Sequence, residues 1–389
     1  MFQLTYRTFL YFLREHLVKK QVIKVAGKLM AITSQKEALS ALGELFIIGF
    51  NGLKLSEETS TFITQSEIGG VILFAQNYES PAQIAELSHQ IQNCRSNLPL
   101  WISSDHEGGR VQRFKKGFTK IPDAALIGSK DSPTLAFEIA SVMAKELKAV
   151  GINLNFCPIA DIATHSKNPV IGNRSFGETE EIVSKMCTAM VRGHLVNGVQ
   201  PCVKHFPGHG DTSTDSHFAL PRVETSLEIL QEREFKPFLK AFQSKCSMVM
   251  TAHILAVQLD PQFPATLSKV ILQEILRKKL GYSQLILSDD LEMKAIADHF
   301  GIEDAPRMAI EAGCDLLIYR SEATARRAYD ALRSGLEKGS LGADRVLESA
   351  NRIRTLKKKV LLPYHPASIA EVDLKIGTPE HFSTIQKCN

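Results

Sequence analysis

Hydrophobic residues recur along the chain in short runs, separated by longer stretches in which they have helical spacing. From Ala38 onward there are eight such runs, each of about strand length. A run that is apolar on both faces is typical of a strand buried within a parallel sheet. The predicted strands are Leu45–Phe50, Gly70–Phe74, Leu100–Asp105, Ile152–Asp161, Pro201–Phe206, Ser247–His253, Leu285–Asp290 and Asp315–Tyr319.

The stretches between these runs have the periodicity of helices. In Pro81–Cys94, for example, Ile84, Leu87 and Ile91 share one face. Ser80 precedes this stretch in the N-cap position. Further helices are predicted over Thr134–Val150, Glu180–Val196, Leu227–Gln243, Ala323–Glu337 and, closing the domain, Ala343–Leu362.

Eight buried strands alternating with helices predict an α/β protein built as a single (β/α)₈ TIM-type barrel, in which the first strands can be irregular. An open, doubly wound sheet is the alternative. That fold would need a phosphate-binding glycine-rich turn after the first strand, and the stretch from Gly49 to Gly52 is not followed by one. The pattern therefore favours the barrel.

The composition is ordinary for a soluble globular protein, with 44% hydrophobic and 23% charged residues. The net charge of +4 is spread along the chain without a basic stripe, so we expect no nucleic-acid partner. The seven cysteines are odd in number, widely spaced and without a CxxC pair. They predict reduced core residues rather than a disulfide framework or a zinc site. A cytoplasmic monomer is expected.

Residues 1–30 form a basic leader that differs from the rest of the chain. Its longest charge-free apolar stretch, Thr8 to Leu13, is too short for a stable membrane span, and no secretory cleavage site follows. A basic amphipathic helix on anionic lipid is one interpretation. An upstream extension is favoured, because Met30 is a second start candidate. We predict a leader at 1–30, a catalytic barrel at 31–363 and a C-terminal tail without a second core at 364–389.

Polar and charged side chains follow five of the predicted strands. In a (β/α)₈ barrel the carboxyl ends of the strands form the active-site face, and charges are costly to bury elsewhere. The residues in these positions are Asp105, His106, Glu107, Asp161, Lys204, His205, His253, Asp289 and Asp290.

The densest chemistry lies in KHFPGHGDTSTDSH, from Lys204 to His217. A metal site is one interpretation, but no HxxxH or HExxH spacing is present. A phosphate-binding loop is another, although its acidic residues would repel phosphate. General acid/base chemistry is the third. Asp215 and His217 are two residues apart, so they point the same way on an extended segment. A carboxylate beside a histidine fixes its tautomer and raises its pKa, which suits a proton donor near neutral pH.

This segment and six others resemble the bacterial β-N-acetylglucosaminidases of glycoside hydrolase family 3. The resemblance extends from about Glu44 to Val360. The matching blocks are DHEGGRVQRF at 105–114, NFCPIADI at 155–162, NPVIGNRSFG at 168–177, KHFPGHGDTSTDSHFALP at 204–221, MTAHI at 250–254, PATLS at 264–268 and SDDLEMKAI at 288–296.

The resemblance implies catalytic roles for three residues. Asp289, the first aspartate of SDD, would be the nucleophile. The alternative is that Asp290 does this work while Asp289 caps the next helix. His217 would be the acid/base, oriented by Asp215. This differs from most glycosidases, which use two carboxyl groups.

The resemblance also implies residues that bind the sugar, namely Asp105, Arg113, Arg174, Lys204 and His205. Surface or structural ion pairing is the competing interpretation for Arg110, Arg113 and Arg174. Asp161 would bind sugar or orient Lys204, and His253 could simply be a strand-end histidine with satisfied hydrogen bonds.

The implied reaction is the release of terminal β-linked N-acetylglucosamine with retained configuration, without a metal or organic cofactor. The substrate would be a small carbohydrate, a muropeptide fragment of peptidoglycan recycling. Three alternatives are a β-glucosidase of the same family, a Schiff-base lyase acting through Lys204, and a sugar-binding protein without catalysis. The Asp-Ser-His element favours the N-acetylglucosaminidase branch.

Overall fold

The computed structural model describes residues 32–166, 168–212 and 220–388, which surround a central parallel sheet. Nine segments follow one another in this sheet, and the two at its ends, Gln200–Pro201 and Val203–Phe206, are consecutive pieces of one strand. The sheet therefore closes on itself with eight strands. They are β1 Phe46–Ile48, β2 Gly70–Ile72, β3 Trp101–Ser104, β4 Leu154–Asn155, β5 Gln200–Pro201 with Val203–Phe206, β6 Met248–Thr251, β7 Leu285–Asp290 and β8 Leu316–Tyr319.

The closed sheet confirms the predicted barrel, so the doubly wound alternative is wrong. The first strand pairs with the last, since Ile47 of β1 lies opposite Gly70 of β2 on one side and Ile318 of β8 on the other, all in parallel register. Gly70 is required by the close approach of β3. A Cβ atom at position 70 would lie 2.7 Å from the Cβ of Trp101. A larger residue there would push the two strands apart.

The fourth strand is much shorter than the predicted run Ile152–Asp161. Only Leu154–Asn155 pair regularly, because the carbonyl of Asn155 accepts hydrogen bonds from both Cys157 and Cys202 and the chain turns there. Pro158 follows and has no N–H to donate. A single bridge between Ile159 and Lys204 restores contact with β5. Asp161, at the end of the run, lies beside β5 and accepts a hydrogen bond from the N–H of His205 at 3.2 Å.

Helices surround the barrel in the predicted order, and Ser80 caps its helix by accepting a hydrogen bond from the N–H of Gln83 at 3.2 Å. The barrel helices are α1 Glu57–Gln65, α2 Pro81–Gln92, α3 Pro133–Ala149, α4 Glu180–Val196, α5 Phe235–Gln243, α6 Val270–Lys279, which is π-helical, α7 Asp304–Ala312 and α8 Glu322–Lys338. The additional helical segments are 32–41, Leu42–Leu45, Ala75–Asn77, Ala124–Ser129, Gly172–Arg174, Leu227–Ile229, Leu230–Glu234, Ala265–Leu267, Lys294–Phe300, Ala343–Leu361, Ile369–Glu371, Val372–Lys375 and Pro379–Gln386.

The helix predicted over Leu227–Gln243 is interrupted by a π-helical turn. Its first part ends at Ile229, the wider turn covers Leu230–Glu234, and α5 follows. Pro237 lies just beyond this turn and cannot donate the hydrogen bond of a regular helix. Widening the preceding turn accommodates the missing donor, and such bulges often lie near functional sites.

The closing helix Ala343–Leu361 is fixed to the start of the barrel by a buried ion pair. Lys357 Nζ lies 2.5 Å from one carboxylate oxygen of Glu44, and Arg95 lies 3.2 Å from the other. Lys357 also donates to the carbonyl of Gly69 at 2.6 Å. Buried charges are tolerated when they are paired and hydrogen-bonded in this way.

The tail after Pro363 packs on the barrel, although its polar composition predicted little burial. Val372, Ile376, Ile385 and Cys388 are buried in the same hydrophobic core as the strands. They form two short pairs, Val372 with Ile376 and Ile385 with Cys388, and each pair is too short to stand out as a hydrophobic pattern. The tail therefore extends the barrel's core rather than forming a second one.

All seven cysteines are free and six are buried, which confirms the prediction of reduced core residues. No helix in the part of the chain that the structure describes is long and apolar enough to cross a bilayer. The leader predicted at 1–30 lies outside the described residues.

Candidate active site

A cavity of about 730 Å³ opens at the carboxyl ends of the strands, and segments following all eight strands line it. Its volume lies within the range of small-molecule sites, roughly 300–1,000 Å³. Six of the eight predicted site residues meet here, namely Asp105, Arg113, Arg174, Lys204, His205 and Asp289. The other two, Asp215 and His217, lie outside the described residues.

The two adjacent carboxyl groups at the end of β7 have different environments. Asp290 pairs with Arg320 at 2.6 Å and accepts a hydrogen bond from the N–H of Glu292 at 3.0 Å. Asp289 accepts a hydrogen bond from the N–H of Asp290 at 2.7 Å and lines the cavity. Asp290, rather than Asp289, thus organises the following turn.

The environments also separate the pKa values of these two groups. Burial raises the pKa of Asp290 to about 6, although Arg320 opposes the shift. Burial acts on Asp289 too, but the positive potential of His253, His205 and Lys204 outweighs it and lowers the pKa. Asp289 is therefore ionised at neutral pH, as a carboxylate nucleophile must be.

Lys204 lies at the centre of an ion network on the cavity wall. Its Nζ is 2.7 Å from Asp105 Oδ1 and 2.7 Å from Glu107 Oε1. Arg174 contacts both oxygens of Glu107, at 2.8 and 2.9 Å, while Arg113 lies 3.2 Å from Asp105. Three cations thus surround two carboxylates, and together they offer donors and acceptors that suit sugar hydroxyl groups.

This network keeps its members charged. Burial by itself would raise the pKa of both carboxyl groups. The pKa of Asp105 is lowered instead, because Lys204 and Arg113 lie beside it. The pKa of Glu107 is lowered by Arg174 and Lys204. Burial would lower the pKa of Lys204, but the two carboxylates raise it. Lys204 is therefore a protonated donor rather than a free amine.

Glu107 was predicted to lie at the active-site face, but the sequence interpretation gave it no role in binding the sugar. It lines the cavity and links Lys204 to Arg174. The available signal was its position in DHEGGR, two residues after Asp105. At that position a hairpin of His106–Gly108 with Val111–Gln112 returns the chain toward the cavity.

Asp161 orients a histidine instead of contacting sugar or Lys204. It is fully buried, and its Oδ2 lies 2.7 Å from His205 Nδ1, while its Oδ1 accepts from the N–H of His209 at 2.7 Å. Asp161 does not line the cavity, and it contacts His205 while Lys204 pairs with Asp105 and Glu107, so the prediction that it holds Lys204 is wrong. An ionised carboxylate only accepts, so Nδ1 of His205 carries the proton and Nε2 remains for a ligand.

The described residues that precede and follow the segment with Asp215 and His217 are held by hydrogen bonds and an ion pair. Before it, Asn168 donates to the carbonyls of His209 and Gly210 at 2.8 and 2.9 Å. After it, the Thr225 hydroxyl donates to Asp211 at 2.7 Å, and Arg233 pairs with the same carboxylate. Burial lowers the pKa of His209 to about 4, which makes this ring a poor proton donor at neutral pH.

Two further residues near the site have local structural contacts. His253 Nδ1 lies 2.7 Å from the Thr266 hydroxyl and Nε2 lies 2.9 Å from the Asp290 carbonyl, as expected for a satisfied strand-end histidine. Arg110 contacts the carbonyl of Val170 and lines the cavity. Within the described ranges, no group of three or more His, Cys, Asp or Glu could hold a metal ion.

Glu234 lies directly beneath the loop that leads to His209. One oxygen pairs with Arg233 at 2.7 Å, and the other, Oε2, has no hydrogen-bond partner among the described residues. A Cβ at Gly208 would lie 2.9 Å from Oε2, so the glycine allows this approach. Burial raises the pKa of Glu234 from 4.5 to about 7, although Arg233 opposes the shift.

The variant Glu234→Gln is expected to be more stable than the wild type at high pH. A group with a raised folded-state pKa contributes stability below its unfolded pKa and loses that contribution as pH rises through the folded value. The gain should reach up to about 3 kcal/mol at pH 9 and disappear below about pH 4.5. Urea unfolding at several pH values measures it. Glu232→Gln, on the same turn but exposed, is the control; a pH-independent difference would contradict the assignment.

Comparison with known proteins agrees with this geometry. Residues 29–356 match the family model described as "Glycosyl hydrolase family 3 N terminal domain". The chain is 37% identical over 354 residues to "Beta-hexosaminidase A" of Pseudoalteromonas piscicida, which covers 84% of this chain and 59% of that relative. It is 39% identical over 272 residues to "Beta-hexosaminidase" of Neisseria meningitidis serogroup C, covering 68% and 74%. The chain thus spans less than two thirds of the Pseudoalteromonas protein.

Solved structures give the same result. A family 3 β-N-acetylglucosaminidase from Paenibacillus sp. str. FPU-7 superposes with a TM-score of 0.87 at 39% identity, covering 90% of this chain and 68% of that one. NagZ from Neisseria gonorrhoeae in complex with N-trifluoroacetyl-D-glucosamine superposes with a TM-score of 0.74 at 31% identity, covering 89% and 97%. The matched family, the barrel and the residues gathered at its mouth agree, and the chain belongs to glycosyl hydrolase family 3.

Proposed function

We propose that this protein is a retaining β-N-acetylglucosaminidase that removes terminal β-linked N-acetylglucosamine. Asp289 attacks the anomeric carbon, and His217 donates a proton to the leaving oxygen. A glycosyl–Asp289 ester forms. Water then attacks this ester while His217 accepts a proton, and the sugar leaves with its original configuration. The steps require neither a metal nor an organic cofactor.

The position of the Asp289 carboxylate in the cavity, beside an Asp290 that is paired with Arg320, is the observation that carries this proposal. The pKa of Asp289 is lowered, despite burial, by the positive potential of neighbouring side chains. Asp105, Glu107 and the cations between them provide the polar wall against which a sugar ring could bind. Asp290 is already engaged with Arg320, which leaves Asp289 as the better nucleophile.

The substrate class follows from the relatives. Proteins called β-hexosaminidase and β-N-acetylglucosaminidase match most of the barrel. The substrate we propose for this chain is a muropeptide fragment that carries terminal N-acetylglucosamine, processed in the cytoplasm during peptidoglycan recycling by a monomeric enzyme. The oxygen-rich wall of the cavity is compatible with such a carbohydrate.

The Schiff-base alternative is disfavoured by the state of Lys204. A lysine that forms an imine must lose its proton, but two carboxylates at 2.7 Å raise the pKa of this amine. A sugar-binding protein without catalysis would need neither a nucleophile nor a proton donor. The hydrolysis assay in the next paragraph distinguishes a glycosidase from a sugar-binding protein without catalysis.

The protein is expected to hydrolyse nitrophenyl β-N-acetylglucosaminide with a kcat/KM roughly 100-fold or more above that for the matching β-glucoside. A site built for the acetamido group leaves its polar partners unpaired when that group is missing. Nitrophenol release gives both rates, and proton NMR of the first product shows whether the β-anomer forms before mutarotation. Equal rates would indicate a β-glucosidase, and no turnover of either would contradict hydrolysis altogether.

A further inference from the structure

Glu146, on α3, connects the C-terminal tail to the loop behind the active-site hairpin. It is almost completely buried, with 1% of its surface exposed. On one side it accepts hydrogen bonds from the Thr119 N–H at 3.0 Å and hydroxyl at 2.6 Å. On the other it accepts from the Gly377 N–H at 2.8 Å and lies 2.8 Å from His381 Nδ1. One carboxylate thus joins two segments that are distant in sequence.

The loop that contains Thr119 supports the hairpin that carries cavity residues. Gln112 donates to the Thr119 carbonyl at 2.9 Å, and its own amide oxygen accepts from the Ile121 N–H at 3.0 Å. Gln112 is paired with His106 across the hairpin. The side chains on either side of this contact, Glu107 and Arg113, line the cavity and bind Lys204 and Asp105 respectively.

The tail fits this loop closely at Gly377. The residue has φ of +61°, in the left-handed region where glycine is favoured. A Cβ there would lie 2.5 Å from the Gly117 carbonyl, so a side chain would separate tail and loop. His381 is buried beside it and completes the hydrogen bonds of Glu146. The tail segment is outside residues 29–356, which the family model matches.

We infer that the C-terminal tail, residues 364–388, is a positioning element for the sugar-binding hairpin, acting through His381, Glu146 and Thr119. The inference rests on the proposed function only in taking Glu107 and Arg113 to bind the substrate. Burial by itself would raise the pKa of Glu146, but the hydrogen bonds from His381, Thr119 and Gly377 lower it. Without the His381 donor, a buried charged acceptor is less well satisfied, and the Thr119 loop can move away from it.

Weakening this connection should reduce sugar binding more than chemistry. The hairpin contributes to the binding of the sugar in both the ground state and the transition state, so its displacement raises KM and leaves kcat nearly unchanged. His381→Ala is expected to raise KM roughly three- to tenfold, the range of couplings transmitted through packed networks. The Ki of N-acetylglucosamine as a competitive inhibitor should rise in parallel.

Two matched variants distinguish positioning from general stability. His381→Asn retains a donor near the place of Nδ1 and should restore the wild-type KM. Lys387→Ala removes an exposed ion pair between the tail and Glu138, at 2.8 Å, without affecting Glu146. It should leave KM unchanged. Hydrogen exchange of the amides in residues 106–122 should be faster in His381→Ala than in Lys387→Ala.

The outcomes separate this inference from the proposed function. If His381→Ala lowers the melting temperature but leaves KM at the wild-type value, the tail only stabilises the barrel and the inference is overturned. If the wild type hydrolyses no β-N-acetylglucosaminide, the proposed function is wrong and exchange decides the role of the tail. In that case, equal hydrogen exchange of residues 106–122 in His381→Ala and Lys387→Ala would overturn the inference about the tail. Faster exchange in His381→Ala would support it.

Discussion

Asp289→Ala is expected to abolish turnover while the protein remains folded. No other group can form the covalent bond to the sugar in the proposed mechanism, so kcat should fall by roughly four orders of magnitude or more, as when other covalent nucleophiles are removed. Within the described part of the chain, the hydrogen bond found for this carboxylate comes from the neighbouring N–H of Asp290. Circular dichroism and thermal unfolding should therefore remain close to the wild type.

The neighbouring carboxyl group supplies the matched control. Asp290→Ala removes the ion pair with Arg320 and the hydrogen bond to Glu292, so it should lower stability more than Asp289→Ala but reduce kcat much less. Azide added to Asp289→Ala should occupy the space of the missing carboxylate and attack an aryl glycoside. The product would be the α-glycosyl azide. An inactive Asp290→Ala beside an active Asp289→Ala would reverse the assignment.

The barrel was predictable because its strands are continuous apolar runs. Runs such as Leu285–Asp290 and Asp315–Tyr319 coincide with β7 and β8 almost to the residue. Polar and apolar residues do not alternate in such a run. It is therefore typical of a strand that is buried on both faces of the sheet. The exception is Ile152–Asp161, where the turn after Asn155 depends on hydrogen bonds to Cys202 that no local pattern reveals.

The site was only partly predictable, because sequence blocks show which residues recur but not which neighbours they contact. Asp289 and Lys204 lie toward the carboxyl ends of the apolar strands β7 and β5, and this position places them in the cavity. The partner of Asp161 depends on how β4 and β5 lie side by side. We expected Asp161 to hold Lys204, but it contacts His205. The contacts of Glu107 with Lys204 and Arg174 depend on the hairpin, which the sequence pattern did not predict.

The tail was the part least accessible from sequence. Its buried residues fall in two short pairs, Val372 with Ile376 and Ile385 with Cys388, and a single pair does not define an amphipathic helix. The fit of Gly377 against Gly117 and the burial of Glu146 are long-range contacts. Local propensity does not encode contacts of this kind, which form only when the barrel is assembled.

His217→Ala is expected to lose far more activity on a natural disaccharide than on an aryl glycoside. A proton donor helps bond cleavage in proportion to how poor the leaving group is, typically by 10²–10⁴-fold for good donors. Nitrophenolate is stable as an anion and needs little help, whereas a sugar alkoxide needs a great deal. Single-turnover glycosylation measured on both substrates should therefore show a large difference between the two losses. Asp215→Ala should show the same pattern more mildly, because the ring remains but loses its orientation.

His209 and Asp211 are the other candidate proton donors, and variants of these two residues are the controls for this experiment. His209 is buried with its pKa lowered to about 4, and Asp211 pairs with Arg233, so neither is well suited to donate a proton at neutral pH. His209→Ala and Asp211→Asn should therefore reduce glycosylation by similar factors on the two substrates, through altered support of the loop. If His217→Ala instead loses equal activity on both, His217 acts in binding, and whichever control shows the unequal loss would be the donor.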